Sequence, residues 1–331
     1  MTYRPTESGS FQILLLSDVH YACAAERLRG DYEARTINHP LLRVLLGAYR
    51  RHVWCKDPLS QNRYLTDFLA VATQADLCLG LGDYTCDSAF IGVADDAAMQ
   101  SASICLNRLR NHFGDRFRGL IGDHDLGKQS LSGRVGGMRL ESWQRCCGPL
   151  QLESVLHQPV GKVHLVGMNS SLLTLPACWM DFEADQRAAW LALRDQHLQA
   201  LKGILDGIPC DHRILFFMHD PTGLAMLLEH DWVRRCLPRL DGTWVGHLHS
   251  PWVFKASRWL SGMPRIRCMG NAVTKLSAAL QQRHLWEPFK VRLVPAPGGI
   301  EIAPQGGYGD LRIDPEGKLP PNFCIRPLAG E

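Results

Sequence analysis

Residues 11–20 read FQILLLSDVH, a short apolar run that ends abruptly at Ser17, Asp18 and His20. An apolar run of this length, bounded by polar residues, predicts a buried strand followed by a loop. The same arrangement recurs in five further stretches, at residues 76–83, 117–125, 163–170, 214–221 and 242–249. In each of them an apolar segment leads at once into small or polar residues, mostly glycine, aspartate or histidine.

The segments between these runs have the length and apolar spacing of helices, at residues 65–71, 97–109 and 183–205. Strands that alternate with helices predict an α/β architecture with parallel strand pairing. In such sheets ligands bind beyond the carboxyl ends of the strands. We therefore expect the aspartates and histidines that follow the apolar runs to gather at one edge of a sheet.

The pattern changes after Leu260, where short apolar segments at 265–269, 289–294 and 299–302 follow one another without helices between them. These segments predict a second, more antiparallel sheet. From Pro295 to Glu331 the chain holds seven glycines and seven prolines. We expect one domain over residues 1–294 and a C-terminal wrap with little regular structure over residues 295–331.

Composition excludes several classes of protein. The chain has 331 residues, 46% of them hydrophobic, with 36 basic against 33 acidic residues, which excludes intrinsic disorder. Its apolar runs are far shorter than the roughly 20 residues that span a bilayer. Met1–Ser10 has neither the basic start nor the apolar stretch of a secretion signal, so a cytoplasmic location is expected. The twelve cysteines form no Cys-x-x-Cys pair and are predicted to be free thiols.

Taken singly, the polar motifs are weak signals, because an Asp or His after a strand is usually a turn or capping residue. His247-Leu248-His249 is stronger, since two imidazoles two positions apart can reach one metal cluster. The order of the motifs along the chain is far more specific than any one of them. Asp-x-His, Gly-Asp, Gly-Asp-His-Asp, a His after an apolar strand, and Gly-His-x-His all follow predicted strands. From residue 11 to about 270 the chain thereby resembles the calcineurin-like metallophosphoesterase superfamily. The resemblance implies an α/β fold, a sandwich of two mixed sheets flanked by helices.

The resemblance also implies a site with two metal ions. By the family's pattern a first metal ion would be held by Asp18, His20 and His249. The second would be held by Asp123, His219 and His247, and Asp83 would bridge the two. Mixed oxygen and imidazole ligands favour manganese, with iron, zinc or cobalt as alternatives.

The chemistry implied by the resemblance is hydrolysis of a phosphate ester. A hydroxide between the two metals would attack the phosphorus atom, since metal binding makes a nucleophile from water at neutral pH. His124 would not ligate; it would face the phosphate and stabilise the transition state or protonate the leaving oxygen. Asp125 would orient and charge His124.

Asp123 departs from the family's pattern, which has Asn at this position. Two divalent ions carry a charge of +4, so three aspartates leave +1 where an amide would leave +2. This weakens the attraction for an anionic phosphate. A trivalent ion such as Fe(III), an arginine on the substrate side or protonation of Asp123 could compensate; alternatively, Asp123 is a tolerated replacement ligand.

Residues 22–64 form a long insertion between the first two motifs. From Glu26 to Arg63 it holds eight Lys or Arg against four Asp or Glu, and its segment 41–51 is amphipathic. It could cap the metal site and select an anionic, partly apolar substrate, or it could touch a membrane surface. The alternative is an ordinary surface helix that packs its leucines on the core. Arg134 and Arg139 could reach substrate phosphate, or they could be solvated loop residues.

We therefore expect a metal-dependent phosphohydrolase acting on a phosphodiester or a pyrophosphate, because His124 could protonate a poor leaving group. The resemblance suggests cyclic nucleotides or nucleotide-linked lipids such as UDP-diacylglucosamine as substrates, and the amphipathic insertion favours a lipid-bearing one. A phosphomonoesterase or protein phosphatase is the alternative. A scaffold that has lost catalysis is disfavoured, because every ligand position holds a competent residue. Basic and aromatic residues are not interleaved, which argues against nucleic acid as a partner. The sequence does not predict the oligomeric state.

Overall fold

The fold is known from a computed structural model, which describes residues 9–72, 75–131, 135–174, 182, 185–266 and 271–328. Arg134, one of the two predicted phosphate-binding arginines, lies outside the described residues. The described strands are β1 (Phe11–Leu16), β2 (Leu77–Gly80), β3 (Phe117–Gly119), β4 (Val155–Val160), β5 (Val163–Met168), β6 (Arg213–Met218), β7 (Leu240–Val245), β8 (Val291–Leu293), β9 (Tyr308–Ile313) and β10 (Asn322–Arg326).

The described α-helices are α1 (Ala24–Arg27), α2 (Tyr32–Arg35), α3 (Pro40–His52), α4 (Asn62–Val71), α5 (Asp96–Phe113), α6 (Asp123–Leu126), α7 (Leu140–Cys147), α8 (Ser170–Leu173), α9 (Arg187–Gly207), α10 (Leu224–Leu227), α11 (Asp231–Cys236), α12 (Pro251–Trp259) and α13 (Asn271–Gln281). The three helices predicted from apolar spacing are α4, α5 and α9. In the described part of the chain, no helix combines the length and the apolar character needed to cross a membrane.

The strands form two sheets of five, in the orders β10-β9-β1-β2-β3 and β4-β5-β6-β7-β8. In the first sheet β1, β2 and β3 are parallel, whereas β9 runs antiparallel to β1 and β10 antiparallel to β9. In the second sheet β5 to β8 are parallel and β4 is antiparallel to β5. The predicted fold, two mixed sheets flanked by helices, is confirmed.

Alternation along β1 shows how the layers stack. Ile13 and Leu15 belong to a buried cluster that also contains Leu215 and Phe217 of the second sheet, so these side chains fill the space between the sheets. Leu14 and Leu16 point the other way, into a cluster shared with residues of α4 and α5. The second sheet packs its outer face against α9 and α11 in the same manner. Helices therefore cover both outer faces of the sandwich.

The expectations for the C-terminal region were largely wrong. Residues 271–281 form α13, and residues 299–302 are not a strand. The segment 289–294 contains a strand, β8, which pairs parallel to β7 rather than entering an antiparallel sheet, and residues 267–269 of the predicted segment 265–269 lie outside the described residues. The tail over 295–331 also has more regular structure than expected, because β9 and β10 complete the first sheet. Its glycines and prolines lie mainly in the loops around these two strands.

Candidate metal centre

All seven candidate metal ligands follow strands, at the edge where the carboxyl ends of both sheets meet. Asp18 and His20 follow β1, and Asp83 follows β2. The others follow β3, β6 and β7: Asp123, His219, His247 and His249. Their ligand atoms form groups that could hold a metal ion, each with all of its atoms within 4.8 Å of one another. The structure thus brings together residues that lie up to 231 positions apart in the chain.

Backbone strain is concentrated at this edge. Nine non-glycine residues in the described part of the chain have positive φ, and five of them are candidate ligands: Asp18, His20, Asp83, His247 and His249. Positive φ is sparsely populated by residues with a Cβ and persists only where the surrounding structure imposes it. Here the loops after β1, β2 and β7 impose it, and it turns the side chains toward one another.

Gly82 shows how closely the loops approach. Its φ is +111°, and a Cβ at this position would lie 2.4 Å from the backbone nitrogen of Gly122. Only glycine permits both the conformation and this contact between the loops after β2 and β3. The contact brings Asp83 close to the loop that carries Asp123.

The first group contains Asp18, His20 and His249. Asp18 Oδ1 lies 3.3 Å from His249 Nε2 and 3.9 Å from His20 Nε2. Asp18 Oδ2 accepts a hydrogen bond from the backbone N–H of His247, whereas Oδ1 is buried with no hydrogen-bond partner. An unsatisfied buried carboxylate oxygen that faces two imidazoles is the arrangement a cation would complete.

The second group contains Asp123, His219 and His247. Asp123 Oδ1 lies 3.1 Å from His219 Nε2 and 3.4 Å from His247 Nδ1. The far nitrogen of His247, Nε2, lies 3.9 Å from Asp220 Oδ2. Asp220 therefore stands behind His247, where carboxylates commonly orient ligating imidazoles.

Asp83 lies between the two groups. Its Oδ2 is 3.8 Å from His20 Nε2 and 3.2 Å from His219 Nε2, and this oxygen too is buried without a hydrogen-bond partner. Its Oδ1 accepts a hydrogen bond from the backbone N–H of His124. Asp83 is thus fixed through one oxygen and presents the other to histidines of both groups.

Backbone carbonyls orient two of the imidazoles. His20 Nδ1 lies 3.2 Å from the Thr85 carbonyl oxygen, and His219 Nδ1 lies 3.2 Å from that of Leu81. An Nδ1–H that donates to a carbonyl leaves Nε2 with a free lone pair. In both residues Nε2 is the nitrogen that faces the carboxylates.

Burial and the neighbouring carboxylates have opposite effects on the pKa values of the imidazoles. Burial would lower the pKa of His219, but the Asp83, Asp123 and Asp18 carboxylates raise it well above its ordinary value. At His249, by contrast, burial dominates and lowers the pKa to about 3 against the opposing effect of Asp18. Burial and the neighbouring carboxylates thus act in opposite directions on these two imidazoles, and the balance differs between them.

His124 and Asp125 differ from the expectation that one orients the other. Asp125 Oδ2 accepts hydrogen bonds from the backbone N–H groups of Asp83 and Gly122, and its Oδ1 accepts one from Tyr84. Both oxygens are thus directed at backbone amides, and the expected contact with the His124 ring is wrong. His124 Nδ1 lies 3.2 Å from the Cys86 carbonyl oxygen, which takes the orienting position. Asp125 instead fixes the loops that carry Asp83 and Asp123.

Lys128 also belongs to the site, although the sequence did not predict it. Its Nζ lies 3.0 Å from Asp123 Oδ2, the oxygen that does not face the histidines. Burial would raise the pKa of the Asp123 carboxyl, but Lys128 and His247 hold it well below its ordinary value. The signal in the sequence was the presence of a lysine five residues after Asp123. In the structure, a hydrogen bond from the Lys128 backbone N–H to the Asp87 carboxylate fixes this loop.

The insertion reaches the site through Trp54. The Trp54 ring lies 4.9 Å from the His249 ring, with 51° between the planes. The longest helix within the insertion, α3, leaves most of its leucines exposed rather than packed on the core: Leu41 is 61% exposed and Leu45 is 55% exposed. The interpretation of α3 as an ordinary packed surface helix is therefore wrong.

Arg139, the second predicted phosphate-binding arginine, is half-buried and directly precedes α7. Its backbone N–H donates to the Leu126 carbonyl at the end of α6. Contact of its guanidinium with substrate stays a prediction. Cys146 in α7 is buried and its neighbour Cys147 is exposed, and both are free thiols as predicted.

Comparisons with known proteins give a distant likeness. No protein-family model matches the sequence, and no curated protein matches it. Among solved structures, the chain is similar to a purple acid phosphatase from yellow lupin (Lupinus luteus) seeds, with 11% identity and a TM-score of 0.35, covering 75% of this chain and 39% of the lupin chain.

It is also similar to a dimetal phosphatase from Danio rerio, with 15% identity and a TM-score of 0.37, covering 72% of this chain and 82% of the other. A phosphopantetheinyl hydrolase from Mycobacterium tuberculosis matches with 12% identity and a TM-score of 0.35, covering 73% and 84%.

Proposed function

We propose that the chain is a metal-dependent phosphohydrolase. The observation that carries the proposal is the convergence of three aspartates and four histidines into overlapping groups around Asp83. The buried, unpartnered oxygens of Asp18 and Asp83 support it, because such oxygens are costly to bury unless a cation completes them. A non-catalytic scaffold would gain nothing from this arrangement, because positive φ angles and unsatisfied buried oxygens both cost free energy.

The donor set fits two transition-metal ions. Asp18, His20 and His249 would hold one, Asp123, His219 and His247 the other, and Asp83 would contribute to both. Carboxylate oxygens with imidazole nitrogens suit manganese first, then iron, zinc or cobalt. When bound, such ions activate water and neutralise the charge on the phosphoryl oxygens.

Lys128 supplies the charge that Asp123 removes. With two divalent ions the seven ligands leave a net charge of +1, and the ammonium group 3.0 Å from Asp123 returns it to +2. This makes a trivalent ion unnecessary, and it needs no proton on Asp123. The positive charge of the site then favours an anionic phosphate as strongly as a site with an amide ligand would.

The proposed function assigns His124 the role of acting on the substrate. One of its ring nitrogens lies within 4.8 Å of the ligand atoms of His20 and Asp83, and Cys86 fixes the ring through Nδ1. Burial lowers the pKa of His124 to about 4 against the opposing effect of Asp83. A phosphate anion bound beside the ring would raise this pKa, since a neighbouring negative charge favours the protonated form. His124 would then stabilise the phosphoryl oxygens or protonate the leaving oxygen.

For the substrate we propose a phosphodiester or a pyrophosphate, of the cyclic nucleotide or nucleotide-linked lipid class. A proton-donating His124 matters most for such poor leaving groups. Trp54 beside His249 offers an aromatic surface next to the metal centre, on which a base or an apolar group could lie. The exposed leucines of α3 favour the lipid-bearing substrate of the two.

The test compares hydrolysis of bis-p-nitrophenyl phosphate and p-nitrophenyl phosphate by the manganese-loaded protein. We expect the diester to be preferred and His124→Ala to lower its turnover by about 10²-fold or more. His284→Ala, which changes an exposed histidine outside the site, is the control and should keep full turnover. Preference for the monoester would identify a phosphomonoesterase instead. Absence of diester turnover, or an unchanged rate in His124→Ala, would overturn the proposal.

A further inference from the structure

The exposed apolar side chains are unevenly distributed. Fifteen large hydrophobic residues in the described part of the chain are exposed, and eight of them lie on α3 or on α12 and the residue after it. These eight are Leu41, Leu42, Val44, Leu45, Tyr49, Trp252, Trp259 and Leu260. Trp259 is 86% exposed and Val44 is 68% exposed, which is unusual for side chains of this size in a soluble domain. We call residues 40–52 and 251–260 the rim.

Charge separates the rim from the rest of the surface. Residues 34–56 contain five Lys or Arg, and residues 242–286 contain six; neither segment holds a single Asp or Glu. On the rim itself, four of these basic residues are exposed between the apolar ones: Arg43, Arg51, Lys255 and Arg258. The chain as a whole has nearly as many acidic as basic residues, so the rim is a local excess of positive charge.

Both parts of the rim adjoin the metal centre on its His249 side. Trp54, two residues beyond the end of α3, lies 4.9 Å from the His249 ring. Ser250, the residue after His249, caps α12 by accepting a hydrogen bond from the Trp252 backbone N–H. The apolar and basic surface is therefore continuous in the chain with the loops that build the site.

The attachment of α3 explains why its leucines face outward. Arg50 is the buried residue of this helix, and its guanidinium lies 5.2 Å from the centroid of the Tyr32 ring. Asp31 pairs with the same guanidinium at 3.6 Å. Arg50 thus attaches the helix to the rest of the chain. Most of the aliphatic side chains of the helix stay exposed and are available to contact another surface.

We propose that the rim binds the surface of an anionic lipid bilayer. Leucine side chains bury in the boundary between headgroups and acyl chains, and tryptophan prefers this interface. Lysine and arginine add attraction to anionic headgroups. The two segments that carry the rim contain no Asp or Glu, and their exposed apolar and basic side chains are complementary to such a membrane. Binding there would turn the His249 side of the site toward the lipid.

The experiment is flotation of the full chain with vesicles of phosphatidylcholine alone and with vesicles that contain 30% phosphatidylglycerol, a composition of about one anionic lipid in three. We expect flotation with the anionic vesicles only, and a loss of at least about tenfold in the bound fraction when salt is raised from about 0.1 M to about 0.5 M. The Leu41→Ser/Val44→Ser/Leu45→Ser and Trp252→Ala/Trp259→Ala variants should each lower the bound fraction by about tenfold.

Leu319→Ser is the matched control, because Leu319 is 69% exposed and lies outside the rim. It should bind vesicles as the wild type does. All variants should keep the wild-type turnover of soluble bis-p-nitrophenyl phosphate, so failure of the hydrolase proposal and failure of the membrane proposal are distinguishable. Equal binding by the rim variants, or no preference for anionic vesicles, would overturn the proposal. A dimer in light scattering that the rim variants dissociate would also overturn it, since a second copy would then cover the rim.

Discussion

Two histidine clusters lie at opposite ends of the second sheet. At the carboxyl ends of the strands, His219, His247 and His249 belong to the candidate metal centre. Nearer the amino ends of β5 and β6, His164 and His212 form a chain with His157 of β4. In this chain His157 Nε2 lies 2.9 Å from His164 Nδ1, and His164 Nε2 lies 2.8 Å from His212 Nδ1.

Carboxylates distinguish the two clusters. In the candidate metal centre Asp83 and Asp123 lie within 3.2 Å of His219, and they raise its pKa well above the ordinary value. At the other end burial, with the neighbouring imidazoles, lowers the pKa of His164 to about 4. A cluster of histidines is therefore not by itself the mark of a metal centre; interleaved, unsatisfied carboxylates are.

The largest difference between the two clusters is expected in phosphodiester turnover, when one residue of each cluster is replaced. Asp83→Asn removes the charge that both metal groups share but keeps an oxygen to accept from the His124 amide. We expect it to lower phosphodiester turnover by about 10³-fold or more, while His164→Asn keeps most of the wild-type rate. Steady-state kinetics with added manganese measures both. Similar losses in the two variants would remove the distinction between the clusters.

A smaller effect is expected at the Lys128–Asp123 pair of the candidate metal centre. Lys128→Met should lower kcat/KM for the diester by about tenfold, because the site loses one positive charge beside the phosphate. Adding Asp123→Asn to Lys128→Met should restore much of the rate, since it removes the negative charge that Lys128 balances. A double variant no better than Lys128→Met would mean that Lys128 acts in some other way.

The smallest effect concerns stability in acid. His164 is neutral in the folded protein, with a pKa of about 4, and its unfolded pKa is near 6.5. The unfolded chain therefore binds the proton first, and stability present above about pH 6.5 is lost as the pH falls toward 4. Because this group is partly solvated, we expect its share to be about 1 kcal/mol.

His164→Gln should flatten this dependence, measured by urea unfolding of metal-free protein between pH 7.5 and pH 4.5. The exposed His284 gives the matched control, and His284→Gln should leave the pH dependence as it is in the wild type. An unaltered slope in His164→Gln would show that the histidine chain is not the source.

The sequence correctly predicted those strands whose local pattern of apolar residues matches their buried position in the fold. The six apolar runs followed by polar residues correspond to β1, β2, β3, β5, β6 and β7, because a buried parallel strand is a short continuous apolar run. The grouping of the candidate ligands follows from the shared carboxyl edge of those strands.

The edge strands β4 and β10 were not predicted, for a physical reason. β4 contains Pro159 and four of its six residues are partly or fully exposed, so it lacks an apolar run. β10 at the other sheet's edge, Asn322–Arg326, has no fully buried residue. The partnership of Lys128 with Asp123 and the turning of Asp125 toward backbone amides depend on side-chain directions in loops. No periodicity in the sequence encodes these directions.

The central claim is that interleaved aspartates and histidines at the sandwich edge hold two metal ions. Its most direct test is the metal content per chain, by elemental analysis after loading with manganese and removal of the excess. We expect two equivalents in the wild type and in His164→Asn, and fewer than two in Asp83→Asn. A wild-type protein that retains no manganese, or that retains the same amount in Asp83→Asn but loses it in His164→Asn, would contradict the account.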